Sequence, residues 1–258
     1  MRLHVEHSGA GPDLALIHGW GLHGGVWQGL REDLATNFTL HVVDLPGHGR
    51  SAMRQPYGLE DLAGDLLDSL PPRIFLCGWS LGAQVALRAA ALEPRRVERL
   101  ALAAATPCFA RRPDWPWGME REALEEFAAE LGRDFEATLR RFLALQARGG
   151  DAAREVVAAL RARLFERGPP DPQALRAGLA LLAEGDLRPL LPRISQPVLL
   201  VHGERDLVAS PGAARWMAGS LGNARLVMMP GCAHAPFLSQ PAVFAGALHE
   251  FFSGSRNG

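Results

Sequence analysis

The chain is predicted to form an α/β fold: a mostly parallel, doubly wound sheet interrupted by a helical insertion. Three observations carry this expectation. Short apolar runs alternate with helical patterns from the start to about residue 105. From about 111 to 190 the chain is rich in Ala, Leu, Arg and Glu and contains no convincing strand. Beyond that stretch the alternation of strand and helix resumes. Such alternation predicts parallel strands with helices on both faces.

Each element follows from its residues. "LALIH" (14–18), "LHVVD" (40–44), "RIFLCG" (73–78) and "VERLALAA" (97–104) scarcely alternate in polarity. They therefore read as strands buried on both faces. Between them, "VWQGLREDLAT", "LEDLAGDLLDSL" and "LGAQVALRAAAL" place apolar residues at helical spacing. "PVLLVHG" (197–203) and "ARLVMMPG" (224–231) resume the strand pattern, and "PAVFAGALHEFF" closes as a helix. The expected division is a core of residues 1–110 and 191–258 carrying a helical cap of residues 111–190. Beyond the Gly-containing tail "SGSRNG" there is no low-complexity tract.

Composition narrows the function. The 258 residues are 48% hydrophobic and 21% charged, as in a globular protein with a sizeable core. A net charge of −1 gives no reason to expect nucleic acid or a membrane surface as partner. No apolar run is long enough to span a bilayer, and "MRLHVEHSGAGPD" has no signal-peptide character. Cys77, Cys108 and Cys232 are widely spaced and odd in number, which fits neither a disulfide framework nor a zinc site. The expected compartment is the cytoplasm. All 27 basic residues are arginine, so lysine Schiff-base chemistry is excluded. No metal or cofactor is expected.

The chemistry centres on Gly78-Trp79-Ser80-Leu81-Gly82, a G-x-S-x-G pattern between a predicted strand and a predicted helix. That context puts the serine on a tight, strained turn with its hydroxyl above the sheet. A serine nucleophile needs a base, and the base needs an orienting acid. Asp206 follows one predicted strand and His234 the last, in the order this arrangement requires. Alone, Asp206 could be a turn or capping residue and His234 an ordinary loop histidine. Asp44 is a poorer acid because it precedes the serine. Oxyanion donors are expected from the backbone N–H of Leu81 and of Trp20, the latter in His18-Gly19-Trp20-Gly21. "DLPGHGRS" (44–51) reads as architectural, and His48 and His202 as structural histidines rather than metal ligands.

Together "HGWG", "VVDLPGHGRS", "GWSLG", "GERDLV" and "GCAHAPF" resemble the α/β-hydrolases over almost the whole chain outside the insertion. "TLHVVDLPGHGRS", "CGWSLGAQVAL", "ATPCFARRPDWP" and "RRFLALQ" are similar to one branch, the carboxylesterases of biotin synthesis that act on pimeloyl-[acyl-carrier protein] methyl ester. The resemblance implies a four-helix cap over the site and a monomeric, cofactor-free serine esterase. It implies substrate contacts from Trp20, Ser80, Leu81, Phe142, Leu143, Ala144, Leu145, Gln146 and His234. It also implies docking of an acyl carrier protein on cap arginines. Arg141 and Arg154 fall where these are expected, with Arg140, Arg148 and Arg161 nearby, while Ala137 and Ala158 stand where the pattern has arginine. Residues 140–167 carry seven arginines against three acids, a surface suited to an acidic partner.

Two rivals follow from the same residues. A broad short-chain carboxylesterase, thioesterase or C–C bond hydrolase would keep the same triad. A non-catalytic binding protein using the cap for recognition would have no need of Ser80, His234 and Asp206 together.

Overall fold

A computed structural model describes residues 1–254, so the last four residues of the tail lie outside the described residues. Seven strands form one sheet: β1 (Val5–Ser8), β2 (Asp13–Ile17), β3 (Thr39–Val43), β4 (Ile74–Trp79), β5 (Val97–Ala103), β6 (Val198–Gly203) and β7 (Ala224–Met229). Their order is β1-β3-β2-β4-β5-β6-β7, and every pairing is parallel except β1 with β3. The predicted strands correspond to β2 through β7. β1 was not anticipated, because "VEHS" has no apolar run and only pairs at the edge.

Alternation along each strand feeds two cores. Leu14 and Leu16 face one, with Trp27, Leu30 and Phe244 from α1 (Gln28–Leu34), the turn before it and α10 (Pro241–Ser253). Ala15 and Ile17 face the other, with Leu62 and Leu66 of α2 (Leu59–Asp68), Val85 and Ala89 of α3 (Leu81–Leu92) and Met217 of α8 (Pro211–Ser220). Helices therefore cover both faces, as parallel crossovers require. α8 lies outside the helices expected from the sequence; Ser210 caps it by accepting from Gly212 N–H.

A helical cap region separates β5 from β6. It contains α4 (Arg121–Arg133), α5 (Phe135–Ala147), α6 (Ala153–Leu164) and α7 (Pro172–Glu184). Asp134 caps α5 and Asp171 caps α7, each carboxylate accepting a first-turn N–H at 3.0 and 2.7 Å. Leu124, Leu139, Leu160 and Leu175 of these helices are buried in the same cluster as Trp20 and Trp27. The cap thus shares its apolar core with one face of the sheet.

The strand order turns back between β2 and β4, and the loops leaving those two strands carry His18-Gly19-Trp20 and Ser80. Parallel sheets open a crevice at such a switch point. Among the described residues, no helix is long and apolar enough to cross a membrane, and no cluster of three metal-ligating side chains occurs.

Candidate active site

Ser80 sits between β4 and α3 with φ 56° and ψ −115°, a conformation that L residues rarely adopt. Such backbone costs on the order of 1–3 kcal/mol and persists only where its surroundings enforce it. Here the enforcing contacts are visible. Ser80 N–H donates to Ala103 O at 3.0 Å, while its carbonyl accepts from Ala83 N–H. A Cβ on Gly78 would lie 2.3 Å from Gly82 O, and one on Gly82 would lie 2.5 Å from both Ile17 O and His18 O. Both glycines are therefore required by the close crossing of β4, α3 and β2, not by chain flexibility.

His234 lies in the loop between β7 and α9 (Pro236–Ser239). Its main chain is held on both sides: N–H donates to Gln146 O at 2.9 Å, and its carbonyl accepts from Trp79 Nε1 at 2.8 Å. The ring is buried, with Nε2 3.0 Å from Ser80 Oγ and Nδ1 2.8 Å from Asp206 Oδ2. A carboxylate only accepts, so Nδ1 carries the proton and Nε2 is left to accept from the serine hydroxyl.

Asp206 follows β6 and is equally buried. Its Oδ1 accepts from Val208 N–H at 2.8 Å and Ala209 N–H at 2.9 Å, leaving Oδ2 for His234. Burial pushes the carboxyl up. The attraction of His234 and hydrogen bonds from His202 and His234 outweigh it, holding Asp206 well below the usual carboxylate range.

The rejected acid, Asp44, is fully engaged elsewhere. Its Oδ1 accepts from Gly24 N–H and its Oδ2 from Arg50 N–H, and Arg167 reaches both oxygens at 3.1–3.2 Å. It fastens "DLPGHGRS" to the loop after β2 and to the end of α6, an architectural role. His18 and His48 are buried beside it. His18 Nε2 accepts from Leu45 N–H at 2.9 Å, so Nδ1 donates to Gly19 O at 2.8 Å. Burial lowers His18 to about 3 and His48 to about 4, leaving both neutral.

Trp20 is buried where this loop meets the cap. Its indole N–H donates to Leu175 O at 2.9 Å, and its ring packs edge-on against Phe127 and Phe142 at 5.6 and 5.2 Å. A cavity of about 620 Å³ opens above, lined by Trp20, Phe109, Leu124, Phe142, Leu179 and Leu207 among others. Of the residues anticipated as substrate contacts, Trp20, Phe142, Ala144 and Leu145 line it, whereas Ser80, Leu81 and His234 are not among its lining residues. Leu143 is buried in the core instead. Gln146 is buried with both carboxamide atoms unpartnered among the described residues.

The cap arginines divide into two groups. Arg141 Nη1 donates to both carboxylate oxygens of Glu130 at 2.6 Å, and Arg140 lies 3.7 Å from Glu136. Arg148, Arg154 and Arg161 are exposed and make no ion pair among the described residues. Arg141 and Arg148 also border the cavity. The Arg141–Glu130 pair joins two helices at a separation that no helical spacing rule reveals.

Comparison with known proteins agrees with this geometry. Residues 14–247 match the model of the alpha/beta hydrolase family. A pimeloyl-[acyl-carrier protein] methyl ester esterase from Nitrosomonas europaea is 50% identical over 246 residues, covering 95% of this chain and 98% of that protein. One from Nitrosospira multiformis is 48% identical, covering 96% and 97%. Among solved structures, an esterase from Exiguobacterium antarcticum superposes with a TM-score of 0.88 at 22% identity, covering 98% of this chain and 96% of that one, a likeness of fold. The chain belongs to the alpha/beta hydrolase family, within the branch formed by these methyl ester esterases.

Proposed function

We propose that the protein is a serine carboxylesterase that hydrolyses pimeloyl-[acyl-carrier protein] methyl ester to the free carboxylate and methanol. The observation that carries this reading is His234, placed between Ser80 Oγ at 3.0 Å and Asp206 Oδ2 at 2.8 Å; Trp20, on the loop that also supplies an oxyanion donor, lines a largely apolar cavity. The near-full-length relatives named for this substrate support the choice of ester.

In this mechanism His234 Nε2 takes the Ser80 proton as Oγ attacks the ester carbonyl, and Asp206 stabilises the imidazolium. The N–H groups of Leu81 and Trp20 hold the tetrahedral oxyanion. Leu81 opens α3, where first-turn N–H groups have no helical partner. Trp20 N–H shares a peptide plane with the Gly19 carbonyl, so the hydrogen bond from His18 to that carbonyl fixes the direction of the donor. His234 then protonates the departing methanol, and water repeats the sequence on the acyl-enzyme. No step calls for a metal or cofactor.

The cap, delimited as residues 111–190, supplies selectivity. Trp20, Phe142, Ala144 and Leu145 line the path of the acyl chain. Leu143 supports them from behind, and the Gln146 carboxamide offers polar partners to substrate atoms. The far end of the chain leaves beside Arg141 and Arg148, toward an acidic carrier protein. Arg148, Arg154 and Arg161 are the arginines best placed to receive it, while Arg140 and Arg141 are already engaged with acids.

The test compares kcat/KM on the carrier-bound methyl ester with that on a simple methyl ester of equal acyl length, at low and high salt. A preference for the carrier-bound ester that erodes with salt is the expected result. Equal values without a salt effect would leave a general esterase.

A further inference from the structure

β6 ends in His202-Gly203, and the chain then turns through Asp206 to Ala209. His202 is buried at 2% exposure, and its Nε2 lies 2.8 Å from Ala209 O and 3.3 Å from Asp206 Oδ2. A carbonyl and a carboxylate both only accept, so the ring nitrogen facing them carries a proton. That single N–H therefore spans the turn, gripping its far end while lying against the same oxygen that receives His234 Nδ1.

We propose that His202 is a positioning residue for Asp206, its Nε2–H tying Ala209 O and Asp206 Oδ2 together so that the carboxylate presents Oδ2 to His234. Four donors then surround the carboxylate. Val208 and Ala209 N–H groups fix Oδ1, and His234 and His202 converge on Oδ2. The two Oδ1 bonds leave the carboxylate free to pivot about that oxygen. A second contact on Oδ2, from the His202 side chain of β6, resists that pivot. Gly203 lets the turn seat against the histidine loop: a Cβ there would lie 2.1 Å from Ala233 O. His202 touches neither serine nor substrate, and acts through the acid alone.

The inference rests on the triad assignment, so the two must be separable. Labelling of Ser80 by a fluorophosphonate reads the triad; loss of labelling in the wild type would overturn that assignment. For His202, nitrogen-15 NMR of histidine-labelled wild-type protein gives its tautomer without any substitution. Protonated Nε2 is expected, and an Nε2 lone pair would overturn the proposal.

His202→Leu and His202→Gln supply the functional test with a short p-nitrophenyl ester. Leucine removes the donor, while glutamine keeps an N–H of similar reach. For His202→Leu, kcat is expected to fall about tenfold with little change in KM. The low-field resonance of His234 Nδ1–H should broaden or move. A carboxylate aimed less well stabilises the imidazolium less, so the acid limb of kcat/KM should shift to lower pH. Glutamine should restore all three. Loss of kcat in both variants with the limb and resonance unmoved would make His202 merely structural. A limb displaced to higher pH would mean that the carboxylate had been freed rather than misaimed. Either outcome overturns the proposal.

Discussion

The floor and the roof of the site are built by different means. In the floor, a backbone group takes part in almost every orienting contact: Ser80 N–H bonds to Ala103 O, the N–H and carbonyl of His234 bond to Gln146 O and the Trp79 indole, and two N–H groups hold Asp206. In the roof, Phe127, Phe142, Leu124 and Leu179 line the cavity with side chains, and arginines stand at its border. Geometry fixed by backbone tolerates few substitutions, because a carbonyl cannot be mutated away and a Cβ cannot be added without a clash. A lining of side chains can be resized one residue at a time. The difference separates what makes the protein a hydrolase from what makes it selective.

The largest effect should come from the floor. Ser80→Ala is expected to reduce kcat by at least about 10⁴-fold, while the melting temperature stays close to that of the wild type. Turnover near wild type would remove Ser80 from the chemistry and dissolve the distinction. In the roof, Leu179→Trp should fill part of the cavity and lower kcat/KM for a seven-carbon acyl ester by about 10–100-fold, while acetyl esters lose little. Equal losses for both chain lengths would show that the cavity does not hold the acyl chain. Charge reversal of Arg148, Arg154 and Arg161 together should cost the carrier-bound ester about tenfold or more at low salt and leave a simple ester unchanged. A simple ester affected to the same degree would show that these arginines serve folding instead.

The last effect is on stability rather than turnover, and it lies beneath the floor. His18 is lowered from its usual 6.5 to about 3, and His48 from 6.5 to about 4, chiefly by burial. Below pH 6.5 the unfolded chain binds protons at both histidines and the folded chain does not. Stability should therefore fall on acidification from about pH 6.5, the loss levelling off near pH 4 for His48 and near pH 3 for His18. Urea midpoints measured against pH check this. A His48→Gln variant should show a shallower decline, and a slope equal to that of the wild type would count against a buried neutral His48.

Much of this organisation was legible in the sequence. The Ser80 corner could be read because close crossing demands glycine at Gly78 and Gly82, and few other settings demand both. Asp206 and His234 could be read because each follows a buried strand in the necessary order. Less local features were hidden. β1 is an edge strand of polar residues whose only signal is its pairing with β3. The engagement of Arg141 by Glu130 depends on how α4 and α5 pack, and so does the retreat of Leu143 from the cavity. The contact of His202 with Ala209 is hidden too, because the partner is a carbonyl, which carries no side-chain signature. The absence of ion pairs at Arg148, Arg154 and Arg161 among the described residues likewise belongs to the folded surface rather than to their spacing.

The cap is inserted between β5, which ends at Ala103, and β6, which begins at Val198. Ser80 therefore leaves the ribosome long before Asp206 and His234, with all four cap helices synthesised in between. A nascent chain holding only the first five strands has the serine but neither its base nor its acid. Closure of the sheet by β6 and β7 must wait for these distant segments, a slow and non-local step. The three side chains that meet at the site are consequently complete only at the end of biosynthesis, after the cap helices have been made.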